Sequence, residues 1–133
     1  MKHLTMVLLV SLAGVHAIAQ KTILDGNNLD DNCRYARQLD NGVKISDAEF
    51  GKATFCEGYI RGVLDEIWMQ TNLPDEIGVK NVGRSTICAD AISNEQTTKV
   101  VIKYLQDHPE KLNLTANYLI RLSLQEAFPC KSP

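Results

Sequence analysis

Residues 88–130 read CADAISNEQTTKVVIKYLQDHPEKLNLTANYLIRLSLQEAFPC, two helical patterns with a break between them. Ser93-Asn94-Glu95-Gln96 is a capping-box start, in which the Ser93 hydroxyl can accept from the Gln96 N–H while the Gln96 side chain reaches back. Thr97, Val101, Tyr104 and His108 then fall at helical spacing, with Ile102 and Leu105 beside them. Pro109 cannot continue that helix, and it pushes His108 out of the α region. A second helix is expected from about Thr115 to Phe128. Its polar positions Asn117, Arg121 and Gln125 recur every four residues and most others are apolar or small, so it is expected to be buried on most of its circumference. A short break between two helices implies an antiparallel hairpin, which brings Cys88 and Cys130 close together.

Upstream of this hairpin the chain offers two more helices. The first is expected over about Asn28–Leu39, with Leu29, Cys33 and Ala36 on one face, after a short lead-in over Gln20–Asp25. Asn41-Gly42 closes it with residues that tolerate a left-handed backbone. The second opens on another capping box, Ser46-Asp47-Ala48-Glu49. Its stripe is the cleanest in the chain: Ala53, Cys56, Ile60, Val63 and Ile67 step by 3 or 4 residues. Glu57, Arg61 and Asp65 sit four apart on another face and read as a solvated ladder. Gly58 and Gly62 are expensive inside a helix, and the expected return is close approach of a neighbouring helix, with Tyr59 filling space beside them. Trp68 and Met69 end this helix.

From Thr71 to Ile92 the periodicity lapses. Pro74, Gly78 and Gly83 break it, and Asp75, Glu76, Lys80 and Arg84 keep it polar. Short extended pieces are possible at Ile77–Val79 and Ser85–Ile87. So long a stretch without an element is often functional. The fold class expected is therefore all-α: a small four-helix domain with one long loop between helices 2 and 3.

Residues 1–19 stand apart as an expected signal peptide. Lys2 and His3 form a basic head, Leu4–Val15 an apolar run, and Ala17-Ile18-Ala19 a small-residue cleavage site. The run is too short to span a bilayer as a helix. Residues 20–133 would then form a single helical domain. Losing Lys2 leaves 13 basic against 16 acidic residues, a formal charge of −3, and no basic cluster marks a nucleic-acid binder.

All four cysteines, Cys33, Cys56, Cys88 and Cys130, lie beyond the leader, and an even count in an exported chain reads as two disulfides. Three pairings are possible. The hairpin geometry favours Cys88 with Cys130, which leaves Cys33 with Cys56.

The catalytic vocabulary is thin. His108 alone survives processing, no C-x-x-C suggests a metal site, and oxidation consumes every candidate thiol nucleophile. Gly-rich phosphate loops, H-E-x-x-H and G-x-S-x-G are missing. Asp75 and Glu76 are adjacent in sequence and cannot flank a scissile bond as a glycosidase pair does. Asn113-Leu114-Thr115 matches a glycosylation acceptor, but Asn113 serves equally as a cap for the fourth helix. A binding or structural protein is expected, without cofactor or metal.

Three segments carry a family resemblance. Cys56-Glu57-Gly58-Tyr59-Ile60-Arg61-Gly62-Val63-Leu64-Asp65 resembles the C-x-G-Y-I-x-G-x-x-D signature of the Rap/Tai immunity proteins of bacterial type VI secretion. Val100–Glu110 is similar to that family's v-v-x-y-L-x-x-h-P-E segment, and Leu124–Cys130 to its L-x-x-A-F-P-C ending. Members often follow the third cysteine with Ile-Pro, where this chain has Ala89-Asp90. The resemblance implies a periplasmic helical protein, often a homodimer, that binds and occludes a toxin, typically a cell-wall amidase. The rival reading is a periplasmic helical binding or chaperone-like protein unrelated to toxins. Trp68 beside the polar loop, with Asp75, Glu76, Lys80 and Arg84 as a rim, is the expected partner contact, since tryptophan is enriched among interface anchors.

Overall fold

The computed structural model describes residues 23–72, 86–88 and 92–130. Four α-helices follow one another: α1 Gly26–Asp40, α2 Asp47–Asn72, α3 Asn94–Asp107 and α4 Ala116–Ala127, with a 3-10 turn at Pro109–Lys111 between the last two. Among the described residues there is no strand, only isolated bridges between Asp25 and Thr115 and between Ile87 and Pro129. The all-α expectation and the order of its helices hold.

Local chemistry places each helix end. Asp25 caps α1, its carboxylate accepting from the Asn28 backbone N–H and side-chain amide, both at 2.9 Å, which starts α1 two residues earlier than periodicity suggests. The helix closes at Asn41, and Gly42 takes the left-handed conformation at φ 72°. Ser46 and Glu49 form the expected box before α2: the Ser46 backbone N–H donates to Glu49 Oε2 at 2.8 Å, and the Glu49 N–H to Ser46 Oγ at 3.4 Å. The Ser46 backbone N–H, then its hydroxyl, hold the Glu49 carboxyl below its ordinary range. Ser93 caps α3 through the Gln96 N–H at 3.1 Å. At the other end His108 leaves the α region at φ −126°, ψ 56°, and Pro109 opens the 3-10 turn. The cap position of α4 is Thr115 rather than Asn113, and its side chain makes no capping bond.

The core lies at the centre of the four helices. Leu29, Cys33 and Ala36 of α1 meet the α2 stripe of Ala53, Cys56, Ile60, Val63 and Ile67, all buried as the sequence predicts. Val101, Ile102, Tyr104 and Leu105 of α3 and Leu119, Ile120 and Leu124 of α4 close the other side. Burying a side chain of this size contributes about 1.5–3 kcal/mol. Helix α4 corrects one expectation. It buries Ala116, Leu119, Ile120, Ser123 and Leu124 on a single face, while Tyr118, Gln125 and Glu126 are exposed, because a four-helix arrangement leaves each helix one side facing water.

Two disulfides staple the fold. Cys33–Cys56 joins α1 to α2 inside the core, with both residues fully buried. Cys88–Cys130 joins the segments flanking the α3–α4 hairpin, with Cα atoms 4.9 Å apart. Beside it the Cys88 N–H donates to Phe128 O and the Cys130 N–H to Thr86 O, each at 2.9 Å. The lead-in to α1 is also tied down. Gly26 N–H donates to Leu114 O, Asn27 N–H to Leu112 O, and Ala116 N–H to Leu24 O.

Candidate partner-binding surface

Helix α2 dominates the candidate surface because it is the longest element, at 26 residues, and only one stripe of it packs inward. Position 58 lies two residues from both Cys56 and Ile60, about 160–200° around the helix from the core stripe. Gly51, Phe55, Gly58, Gly62, Asp65 and Met69 therefore share the outer face, stepping 4, 3, 4, 3, 4.

This placement overturns the expected packing role of Gly58 and Gly62. Both are exposed, and a Cβ built on either, or on Gly51, would meet nothing within 4 Å. Tyr59 lies to one side with its ring stacked on Phe55, centroids 5.9 Å apart. A glycine inside a helix costs about 1 kcal/mol relative to alanine, and here no intrachain contact offsets it. Four large apolar side chains of the same helix are about half exposed: Phe50 at 57 %, Phe55 at 46 %, Trp68 at 51 % and Met69 at 49 %. The other five exposed large apolar side chains, Ile23, Leu39, Val43, Leu114 and Tyr118, lie outside α2.

Trp68 stands near the C-terminal end of α2, which continues past it to Asn72. Its side chain is about half exposed. The other four expected contact residues, Asp75, Glu76, Lys80 and Arg84, lie outside the described residues, as does the expected extended piece at Ile77–Val79. Of the Ser85–Ile87 piece, Ile87 forms the isolated bridge to Pro129. Sequence reasoning missed Phe50 and Phe55, although both stand off the Ala53–Ile67 stripe and so could have been read as outward.

The charges around this face are mostly paired. Arg61 Nε lies 3.8 Å from Asp65, with both side chains more than half exposed, as a solvated ladder should be. Arg121 of α4 binds Glu66 of α2 and holds Asn117 at 3.0 Å, fixing the two helices to each other. Between α2 and α3 runs a groove of about 460 Å³, lined by Glu57, Gly58, Arg61 and Leu64 on one wall and Glu95 and Thr98 on the other. Its carboxylates do not converge. Glu95 is engaged by Lys99, whose hydrogen bond and charge hold the Glu95 carboxyl low.

His108 serves the α3 terminus. Its ring lies against Tyr104, with centroids 4.3 Å apart, and Nδ1 is 3.2 Å from Glu110. Lys111 donates to the Tyr104 hydroxyl at 3.1 Å, and that bond raises its pKa. Among the described residues no group of three His, Cys, Asp or Glu side chains could hold a metal ion, and no helix is long and apolar enough to cross a membrane.

The fold is four helices stapled by two disulfides, with four exposed large apolar side chains on the longest helix. The sequence matches the Rap1a immunity proteins over residues 25–130, all four helices and all four cysteines included. The chain belongs to that family, as its three signature segments indicate. No curated protein matches the sequence.

Proposed function

We propose that this chain is a periplasmic immunity protein that binds and occludes a type VI secretion toxin, a cell-wall amidase or similar hydrolase, and so protects the cell that makes it. The observation that carries this reading is the match to Rap1a immunity proteins over residues 25–130. Two disulfides support an oxidising compartment, and the Lys2–Ala19 pattern supports export by a cleaved leader. Protection comes from occupancy rather than chemistry: a folded partner covering a hydrolase groove suffices to stop it. Trp68 is the anchor of the contact, and Asp75, Glu76, Lys80 and Arg84 its polar rim. The active unit is a homodimer, as the resemblance implies.

The test is co-purification from cells that also express a neighbouring gene for an exported hydrolase, paired with survival of cells receiving that hydrolase in the periplasm. Capture of the hydrolase with protection is expected. Binding of unrelated unfolded clients instead would replace immunity with a chaperone role. For the contact, the double change Asp75→Lys/Glu76→Lys, and separately Arg84→Glu, should weaken toxin binding with thermal stability nearly unchanged. If both variants bind and protect as wild type does, the segment after α2 is only a connection.

A further inference from the structure

Asn41-Gly42, where α1 ends, carries a chemistry that neither the fold nor partner binding uses. Glycine follows asparagine nowhere else in the chain, and both residues are exposed. A backbone nitrogen that loses its proton can attack the side-chain amide carbon of an asparagine just before it. At other asparagines the next side chain crowds that approach, whereas glycine has no Cβ to do so. We propose that Asn41 is a site of spontaneous modification, converted by water to aspartate and isoaspartate through a succinimide, at a rate set by opening of the last turn of α1.

The conversion balances with solvent alone. The Gly42 nitrogen gives up its proton and bonds to Asn41 Cγ; the Cγ–Nδ2 bond breaks, and the amide leaves with that proton as ammonia. Water then opens the ring. Breaking the bond from Gly42 N to Cγ gives aspartate. Breaking the bond from Gly42 N to the main-chain carbonyl carbon gives isoaspartate, whose main chain runs through Cβ and Cγ. Nothing is oxidised or reduced.

The turn must open first. With ψ of Asn41 at 8°, the Gly42 nitrogen nearly eclipses the Asn41 nitrogen across the Cα–C bond and is turned away from Cβ. Its N–H donates to Leu39 O at 2.9 Å, flanked by bonds from Asn41 N–H to Arg37 O at 3.1 Å and from Val43 N–H to Gln38 O at 2.9 Å. Ring closure breaks the Gly42 bond and rotates ψ. Little else resists. Ala36 is the last buried residue of α1, Leu39 and Val43 are exposed, and a Cβ built on Gly42 would meet nothing within 4 Å. Cys33–Cys56 anchors the helix about two turns earlier, so this end can open while the core stays packed.

Asp25-Gly26 makes the contrast. An aspartate before glycine closes the same ring with loss of water instead of ammonia. There Gly26 is buried, its N–H donates to Leu114 O, and the Asp25 carboxylate is engaged by Asn28. Opening that turn means detaching α1 from residues 112–116, so the fold closes the site. At Asn41 the acidic product is also accommodated. A cleft of about 330 Å³ between the end of α1 and α3 is lined by Asn41 and Asp40 together with Arg37, Lys99 and Lys103, and the new carboxylate faces those cations.

Incubation of the purified chain at neutral pH, with both disulfides intact, tests this by peptide mass and isoelectric focusing. Opening breaks the three hydrogen bonds of the turn, so Asn41 should convert about 100-fold more slowly than in the reduced, urea-unfolded chain. Aspartate and isoaspartate should both appear, with a gain of negative charge, while Asp25 forms isoaspartate only in the unfolded chain. Urea well below the unfolding midpoint should leave the Asn41 rate nearly unchanged, since a local opening exposes little surface. Asn41→Gln, whose longer side chain would have to close a larger ring, should abolish the charge variant. No conversion in the folded chain overturns the site. A rate that climbs in step with the unfolded fraction refutes the local opening, and aspartate without isoaspartate refutes the succinimide. A charge variant that persists in Asn41→Gln rules out Asn41 as its source.

Discussion

One added methyl group should move stability in opposite directions at Gly26 and Gly62. Gly26 is buried at the start of α1, where the chain crosses the segment entering α4. A Cβ there would lie 2.8 Å from the Leu112 carbonyl oxygen and 2.9 Å from Leu112 Cα, and would press on Leu119 Cδ1. Comfortable carbon contacts are about 3.5–4.0 Å, so the backbone must give by most of an ångström. That backbone is held by the Gly26–Leu114 and Asn27–Leu112 hydrogen bonds, at 2.9 and 3.0 Å. Overpacking costs about 1–3 kcal/mol and a weakened hydrogen bond about 1 more, giving a loss of about 2–4 kcal/mol for Gly26→Ala. At Gly62 the same methyl enters open space and gains up to about 1 kcal/mol of helix propensity. Urea unfolding measures both, with disulfides intact and at concentrations below self-association. With a slope of about 1–3 kcal/mol per molar urea, the Gly26→Ala midpoint should fall by about 1 M or more and that of Gly62→Ala should rise by about half as much. A Gly26→Ala midpoint equal to wild type would show that the α1 start is not pinned to Leu112. A Gly62→Ala midpoint below wild type would refute the open face.

The two disulfides should part under mild reduction. Cys88 is exposed whereas Cys33 and Cys56 are fully buried, so timed alkylation read by peptide mass should label Cys88 and Cys130 first. Replacing both cysteines of either pair should cost about 3–4 kcal/mol on the chain-entropy account, given separations of 23 and 42 residues, read from denaturant midpoints. Acid should act at the start of α2. With its pKa lowered in the fold by the Ser46 N–H and hydroxyl, Glu49 stabilises fully above its ordinary carboxylate pKa and loses that contribution as pH falls through the depressed value. Glu49→Gln should flatten the acid limb of the stability–pH curve, and an unchanged limb would assign it to other carboxylates.

What could be read from the sequence was what depends on neighbours three or four residues apart. The capping boxes at Ser46 and Ser93, the Ala53–Ile67 stripe and the stop at Pro109 are each complete within a few turns. The Cys88–Cys130 pairing followed from them once a hairpin was granted. The misreadings concern what faces a helix from elsewhere. Gly58 and Gly62 were assigned a neighbour because helical glycine is costly, although their offset from the core stripe already turned them outward. Helix α4 was expected to be enclosed because its polar residues are few, but Tyr118 supplies exposed surface without being polar. The Leu24–Asn27 attachment to residues 112–116 leaves no periodic trace, since it is made by backbone groups that every residue carries. Of the expected partner contact, only Trp68 falls among the described residues, where it is about half exposed.

That attachment ties the beginning of the folded chain to nearly its end. A polypeptide threaded through a membrane leading end first delivers α1 and α2 early, and Cys33–Cys56 can close while the rest is still in transit. Gly26 and Asn27 must wait for the carbonyls of Leu114 and Leu112, about 85 residues behind them. Contacts of such separation form late. Under the proposed export, the first turn of α1 would be seated only after residues 112–116 arrive: a half-delivered chain would have a bonded α1–α2 pair but no seat for its first turn.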